Sequence, residues 1–226
     1  MLSIDFDMLN KTVAESRTLY SEGKVKKVIG LTIEVEGIKA FVGELCTIYN
    51  DKNNTIMCEV VGFKEDDVIL MALGELSGIA PGCKVVPQGR LLSVKCSDDL
   101  QGKVLDGLGE PLQGENLRSG IYYPLDQDPP DPLRRRRIKD ILPTGVRAID
   151  GFLTCGEGQR IGIFAGSGVG KSTTLGMIAR YAEADVNVIA LIGERGREAL
   201  DFIEKDLGEE GMKKSVVVCA TSDKSA

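Results

Sequence analysis

The chain has 226 residues, enough for one large or two modest domains that each bury a core. It carries 28 lysines and arginines against 34 aspartates and glutamates, a formal net charge of −6, and it contains no histidine. The missing histidine excludes Ser-His-Asp triads, Cys-His dyads and histidine-based zinc sites, and the acidic balance disfavours a general attraction for nucleic acid or anionic lipid.

Hydropathy and cysteine usage favour a cytosolic protein. No apolar run approaches the ~20 residues that span a bilayer, and the first residues lack the basic start of a secretory signal. The cysteines form no C-x-x-C pair, so a zinc site or a secreted disulfide framework is poorly supported, and we expect reduced thiols in or near the core. The six are Cys46, Cys58, Cys83, Cys96, Cys155 and Cys219.

Residues 1–22 carry one apolar stripe at helical spacing, with charged residues between its members. The pattern predicts an N-terminal helix. Such a segment either packs on its own domain or is a frayed terminus, or it docks a partner protein, and the residues alone slightly favour the first two. The stripe consists of Leu2, Phe6, Leu9, Val13 and Tyr20.

Residues 23–92 change to short β-type runs, which begin where apolar and polar residues alternate from Leu31 to Glu36. Turn residues such as Pro81-Gly82 separate the later runs at 56–63, 68–73 and 83–86. Several short strands close together predict a small antiparallel β-barrel. It would be a scaffold or an oligomer contact, since nothing in it looks catalytic.

Residues 93–140 are rich in proline and glycine, which predicts an extended connector rather than packed helix. Four consecutive arginines, Arg134 to Arg137, lie near its end. They could bind phosphate or RNA, but in an acidic chain a solvated or subunit-facing strip is favoured. We therefore predict no nucleic-acid site.

Residues 141–226 alternate between strand and helix patterns. Strands are predicted at 161–164, 186–192 and 216–219, with one helix to about Ala184 and another over 198–207. The alternation is typical of a parallel sheet with helices on both faces, whose ligands bind beyond the carboxyl ends of the strands.

The segment 165–173 reads Ala-Gly-Ser-Gly-Val-Gly-Lys-Ser-Thr and follows the first of these strands. It matches the template G-x-x-x-x-G-K-[ST] except that Ala165 stands at the first glycine. The glycines let backbone N–H groups cradle a phosphate at a helix start, Lys171 reaches the β- and γ-phosphates, and the Ser172 hydroxyl ligates Mg²⁺. A plain glycine-rich turn is the alternative, which the flanking strand and helix patterns disfavour.

The second half of the chain is thus predicted to be an α/β P-loop NTPase domain, incomplete and preceded by the small antiparallel β-barrel. It would bind ATP and Mg²⁺. The predicted nucleotide-binding residues of the loop are Gly166, Ser167, Gly168, Val169, Gly170, Lys171, Ser172 and Thr173.

Residues 193–198 read Gly-Glu-Arg-Gly-Arg-Glu and follow the second predicted strand directly. Glu194 would project from the same sheet edge as the loop and, with histidine excluded, is the leading candidate to activate the attacking water beside a catalytic Lys171. Its alternative role is to complement the next helix N-terminus. Arg195 is a weaker candidate for nucleotide contact, because surface ion pairs could hold this charged turn. A Walker B aspartate is missing, since Asp223 stands too far beyond the last predicted strand.

Five segments carry a resemblance to a known family: 106–112, 144–150, 153–160, the loop at 165–173, and 193–198. Together they resemble the flagellar and type III secretion export ATPases, which are relatives of the catalytic subunit of rotary ATP synthases. Each segment alone is moderately specific, but their conjunction is highly specific. The resemblance runs from about Lys24 to the last residue.

The resemblance implies an N-terminal β-barrel, a nucleotide-binding domain and a helical C-terminal domain, assembled as a ring hexamer with ATP between subunits. Gly170, Lys171 and Ser172 match the phosphate and Mg²⁺ positions of the family, and Glu194 matches its catalytic carboxylate. In this family ATP hydrolysis releases chaperones and unfolds cargo for export. The N-terminal residues would dock a regulatory partner, which makes the protein peripheral to the membrane.

Members of this family are longer than this chain. The resemblance therefore places the Walker B strand, the adenine-stacking aromatic, the arginine finger and the helical domain outside these residues, and we expect the chain alone to be inactive. Flagellar cargo is favoured over virulence cargo. One alternative is a rotary or vacuolar-type ATP synthase subunit. Another is a hexamer that translocates along RNA, which would need a basic and aromatic-rich face. The third is a module for nucleotide binding and assembly alone.

Overall fold

The computed structural model describes residues 21–50, 54–114, 117, 119–166 and 168–222. These residues form two compact units that divide between Leu92 and Ser93. The predicted N-terminal helix lies outside the described residues. Within the described ranges, no helix is both long enough and apolar enough to cross a bilayer.

The first unit is a closed barrel of six antiparallel strands, in the order β1-β2-β5-β4-β3-β6. This arrangement confirms the predicted barrel. Alternation sets the inside and the outside, because successive side chains of a strand point to opposite faces. The strands are β1 (Gly23–Ile29), β2 (Thr32–Glu36), β3 (Glu44–Tyr49), β4 (Thr55–Lys64), β5 (Asp67–Ala72) and β6 (Lys84–Leu91).

The barrel core is aliphatic, and two of its cysteines face each other across β3 and β4. Cys46 pairs with Cys58 in the register of these strands, and both side chains are fully buried. Burial raises the pKa of each thiol to about 12, because the apolar interior disfavours the charged thiolate. None of the six cysteines, all of which are described residues, forms a disulfide.

The second unit begins with short pieces inside the predicted connector. Strands β7 (Ser93–Cys96) and β9 (Ile121–Pro124) form a two-stranded antiparallel sheet. Between them lie a 3₁₀ turn at Asp98–Leu100 and strand β8 (Val104–Leu105), and a second 3₁₀ turn follows at Pro132–Arg134. Strand β8 pairs in parallel with a strand near the end of the chain. Two residues give no periodicity, so the sequence could not reveal this strand.

The rest of the second unit supplies the parallel sheet and its helices. The helices are α1 (Arg147–Phe152), α2 (Lys171–Tyr181), α3 (Gly196–Asp201) and α4 (Gly208–Lys213), and a π-helical turn at Phe202–Leu207 joins the last two. The strands are β10 (Asn187–Ile192) and β11 (Ser215–Ala220), and the sheet order is β10-β11-β8. This sheet confirms the predicted α/β architecture.

The core of this unit lies on one face of β10. Ile189 and Leu191 are buried together with Phe202 and Leu207 from the π turn and Ala179 from α2. The intervening residues of β10 face the other way and are exposed, as the 2-residue period of a strand requires. Helix α2 and the π turn are therefore held against the same side of the sheet.

The structure corrects two local predictions. Residues 161–164 form no strand, and Phe164 is 95% exposed. A strand exists only when a neighbour accepts and donates its ladder hydrogen bonds, and no described segment does so here. The helix predicted over 198–207 is instead α3 followed by the π turn, and helical structure continues through α4 to Lys213.

We predict that Cys46 and Cys58 resist thiol reagents in the folded protein at pH 7.5. Thiolate is the reactive species, and a pKa of about 12 leaves almost none of it. Mass spectrometry after brief iodoacetamide treatment should find both unlabelled, and labelled after unfolding in urea. Labelling in the native protein at the rate of an exposed thiol would contradict the burial described here.

Candidate functional site

The glycine-rich loop leads directly into α2. Gly168 and Gly170 have φ angles of +76° and +93°, a region that residues with a Cβ rarely adopt. Gly170 is the N-cap of α2 and offers no side chain to the first turn. The N–H groups at the start of α2 are thus not capped by a side chain, and they carry the positive end of the helix dipole.

A cleft of about 840 Å³ opens beside this loop. It brings together the loop, the first turn of α2 and Glu194, and its inner part is apolar. Seven of the residues predicted from the sequence line it: Gly166, Gly168, Gly170, Lys171, Ser172, Thr173 and Glu194.

Two of the predicted residues that the structure describes do not line the cleft. Val169 is 67% exposed, and Arg195 is absent from the cleft wall. Arg195 Nη1 instead lies 3.0 Å from Glu198 Oε1 in an exposed ion pair. Ser167 lies outside the described residues.

Backbone hydrogen bonds fix the position of Glu194 at the carboxyl end of the sheet. The N–H of Gly193 donates to the carbonyl of Ala220 at 2.8 Å, and the N–H of Ser222 donates to the carbonyl of Glu194 at 2.9 Å. These two bonds extend the pairing of β10 with β11 past the last residue of each strand. The half-buried Glu194 side chain forms no hydrogen bond or ion pair with the other described residues.

The opposite wall of the cleft contains residues that the sequence analysis did not single out. Asp201, Phe202 and Asp206 line it together with Glu198, and they belong to α3 and the π turn. Helical periodicity marked only the apolar members of this stretch as core residues. No sequence signal indicated that its aspartates lie near the phosphate loop.

A turn before α1 holds the far end of α2. Asp150 Oδ1 accepts hydrogen bonds from the Thr144 N–H at 2.8 Å and the Thr144 hydroxyl at 2.7 Å, and Oδ2 accepts one from the Gly145 N–H at 3.0 Å. These bonds, the hydroxyl first, lower the pKa of Asp150 because they favour the charged carboxylate. Gly145 has a φ of +74°, and a Cβ there would collide with Tyr181 at the end of α2.

The oxygen donors near the loop fit Mg²⁺ better than a metal ion that needs all of its ligands from the protein. Among the described residues, no group of three or more acidic, cysteine or histidine side chains could hold a metal ion. The Ser172 hydroxyl lines the cleft beside the phosphate loop. Mg²⁺ is usually held by few protein oxygens together with phosphate and water, so this sparse donor set suits it.

Two models of one protein family match the chain. The ATP synthase alpha/beta family, β-barrel domain, matches residues 25–89, and the ATP synthase alpha/beta family, nucleotide-binding domain, matches residues 145–226. Together they cover well over half of the chain. Each match falls on one of the two units of the structure.

Curated relatives share much of the sequence. A flagellum-specific ATP synthase of Bacillus subtilis is 54% identical over 90% of this chain and 47% of its own length. A type 3 secretion system ATPase of Xanthomonas euvesicatoria is 49% identical over 90% of this chain and 47% of its own length. The chain therefore spans about half the length of the curated relatives it matches.

Solved structures agree with the sequence relatives. The assembled ATPase EscN from the type III secretion system of enteropathogenic E. coli matches with a TM-score of 0.79 and 42% identity, over 89% of this chain and 48% of that one. EscN in complex with its central stalk EscO gives a TM-score of 0.80 at the same identity, over 89% of this chain and 49% of that one. These matches confirm the resemblance inferred from the sequence.

We predict that Asp150→Asn lowers the thermal stability of the chain near neutral pH. An amide cannot accept all three hydrogen bonds as the carboxylate does. The pKa of Asp150 is lower in the folded protein than in the unfolded chain. The stability that its carboxylate contributes is therefore present above the unfolded pKa of about 3.9 and is lost as the pH falls through the folded pKa.

Melting temperatures of the wild type and the variant, measured from pH 7 down to pH 2.5, check this prediction. The difference between them should shrink as the pH falls, and a constant difference would contradict it. Asp185→Asn is the control, because this exposed aspartate lies beyond the end of α2.

Proposed function

Because the chain belongs to the ATP synthase alpha/beta family, we propose that it forms the barrel and part of the nucleotide-binding domain of an ATPase that energises protein export through a flagellar or type III secretion apparatus. One observation carries the proposal. The phosphate loop and Glu194 line the same cleft, although Glu194 stands 23 positions after Lys171 in the sequence.

ATP binds through its phosphates in this proposal. The N–H groups of the loop and of the first turn of α2 donate to phosphate oxygens, and the helix dipole favours the negative charge. The Lys171 ammonium neutralises charge on the β- and γ-phosphates. Lys171 forms no ion pair with the other described residues, so its charge is available for the nucleotide.

Ser172 would hold Mg²⁺ through its hydroxyl. When bound, the ion neutralises charge on the terminal phosphates. The position of Ser172, one residue after Lys171 in the first turn of α2, suits this role, because both residues line the same cleft.

Glu194 is the proposed general base. Its carboxylate accepts a proton from a water molecule while the water oxygen attacks the γ-phosphorus. The bond from that phosphorus to the bridging oxygen breaks, and ADP and inorganic phosphate leave. The backbone bonds from Gly193 to Ala220 and from Ser222 to Glu194 hold the Glu194 backbone at the sheet edge, which supports this role.

Assembly completes the proposal. A relative was solved as an assembled ATPase and also with a central stalk, so we propose a ring of six copies with ATP between neighbours. A partner at the N-terminal residues, export chaperones and cargo, and a cytoplasmic position peripheral to the membrane belong to the same proposal. Thr173 and Val169 would complete the loop around the phosphates, with Arg195 near the nucleotide.

The alternatives raised from the sequence have less support. The named relatives are described as flagellum-specific or type 3 secretion proteins. Deletion of the gene should therefore abolish secretion of flagellar or effector proteins and leave membrane-driven ATP synthesis intact. Loss of ATP synthesis with normal secretion would favour a rotary subunit, and stimulation of ATPase activity by RNA would favour an RNA translocase.

We predict that Lys171→Ala weakens ATP binding by roughly 10- to 100-fold, the size expected for a lost hydrogen bond between charged groups. Calorimetric titration of the 226-residue chain with ATP checks this directly. Lys213→Ala is the matched control, because Lys213 is an exposed lysine of α4 outside the cleft. Equal affinities for the two variants would remove Lys171 from the site.

We predict that Glu194→Gln lowers kcat of the full-length ATPase by about 10²- to 10⁴-fold, the usual contribution of a general base, while ATP still binds. Phosphate release and analogue binding measure the two effects separately. Glu210→Gln serves as the control, since Glu210 is paired with Lys213 at the exposed surface. Wild-type turnover in Glu194→Gln would refute the assignment.

A further inference from the structure

The helix that carries the phosphate loop meets the π turn at one close contact. Gly176 of α2 lies against Asp206, and a Cβ at Gly176 would lie only 2.6 Å from the Asp206 carbonyl oxygen. Only glycine allows this approach. One turn farther along α2, Arg180 Nη1 donates a hydrogen bond to the same carbonyl oxygen.

Arg180 is surrounded by neighbours from several elements. Its guanidinium carbon lies 5.4 Å from the centroid of the Tyr181 ring. Its Cγ is 3.2 Å from the place where a Cβ would stand at Gly211 of α4. Its Nε is buried and has no hydrogen-bond partner among the described residues. A buried guanidinium N–H without a hydrogen-bond partner lowers the stability of the fold, so the position of Arg180 beside Asp206 needs an explanation.

The contact joins the two walls of the phosphate cleft. Lys171 and Ser172 line one wall from the first turn of α2, and Asp206 lines the other. Arg180 stands nine residues after Lys171, roughly 14 Å away along a helix that rises 1.5 Å per residue. A tilt of α2 at Arg180 is therefore carried to the loop by a continuous helix.

We propose that Arg180 is a positioning residue for the hydrolysis described above: through the Asp206 carbonyl it fixes α2 against the π turn, which packs on β10, and so sets the separation between the phosphate loop and Glu194 at the end of β10. This role rests on the proposed function. Arg180 is not among the residues that line the cleft. Hydrolysis depends on this separation more steeply than binding does, because binding needs the phosphate loop, whereas the attack needs a water molecule held between the bound phosphates and Glu194.

The test uses the full-length ATPase and the variants Arg180→Ala and Arg180→Lys. Arg180→Ala should lower kcat by about 10²-fold, the size that a displacement near 1 Å produces, while the Kd of a non-hydrolysable ATP analogue stays near the wild-type value. Lysine offers one N–H to the Asp206 carbonyl and should restore part of kcat. Lys213→Ala, in the neighbouring α4, should behave as the wild type.

Two results would overturn the proposal. One is an unchanged kcat in Arg180→Ala. The other is a loss of kcat matched by weaker analogue binding and unrelieved by lysine, since this pattern describes a general loss of structure. If Arg180→Ala does not fold, the test rests on Arg180→Lys alone. A reduced kcat with unchanged analogue binding in this variant supports the positioning role, and any other combination of kcat and analogue affinity overturns it.

The control on the wild type separates this role from the proposed function. A wild-type protein that binds no ATP removes the ATPase assignment and the role of Arg180 with it. A wild-type protein that turns over ATP, with Arg180 variants that do the same, removes only the positioning role.

Discussion

The parallel pairing of β10 with β11 is the interaction on which the site depends. Six residue pairs in register, from Asn187 with Ser215 to Ile192 with Ala220, bring the two strands to the same edge of the sheet. Because the strands end level, the hydrogen bonds of Gly193 and Ser222 continue the ladder and hold Glu194 at that edge. The buried face of the same strands receives α2, whose first turn brings the phosphate loop to the cleft.

Helix α2 is held firmly at one end and left open at the other. Near its C-terminus, Asn187 Nδ2 donates to the Ala179 carbonyl at 2.6 Å, and Lys214 Nζ donates to the Ala182 carbonyl at 3.0 Å. These bonds satisfy carbonyl groups that a helix end leaves without intrahelical partners. The N-terminal end has no side-chain cap. The asymmetry suits a helix that must keep its position while its free N–H groups bind an anion.

The sequence revealed those parts of the fold and site that rest on local signals. Alternation predicted the barrel, and the template with Lys171 predicted the loop, because glycines with positive φ and a following helix leave a clear pattern. The prediction of a strand at 161–164 was wrong, because a run of apolar residues does not show whether a neighbouring strand is present to pair with it. Asp201 of α3 and Asp206 of the π turn were missed for a related reason: their place beside the loop arises from packing between segments roughly 30 residues apart.

The same limit applies to β8, where tertiary pairing with β11 makes a strand out of two residues. It applies equally to Arg195. The exposed ion pair of Arg195 with Glu198 follows from the helix spacing, and it competes with any role of Arg195 at the nucleotide. Sequence patterns thus predicted local elements more reliably than contacts between distant segments.

The position of β10 in its sheet has a practical consequence for handling the protein. Within the described residues β10 is an outer strand, hydrogen-bonded on one side alone, and its outward residues Val188 and Ile192 are 75% and 65% exposed. An apolar strand with an open row of N–H and C=O groups is a template for aggregation by edge-to-edge addition. Recombinant material of this extent should therefore be kept dilute, and a charged substitution at Val188 is the simplest way to make it more soluble.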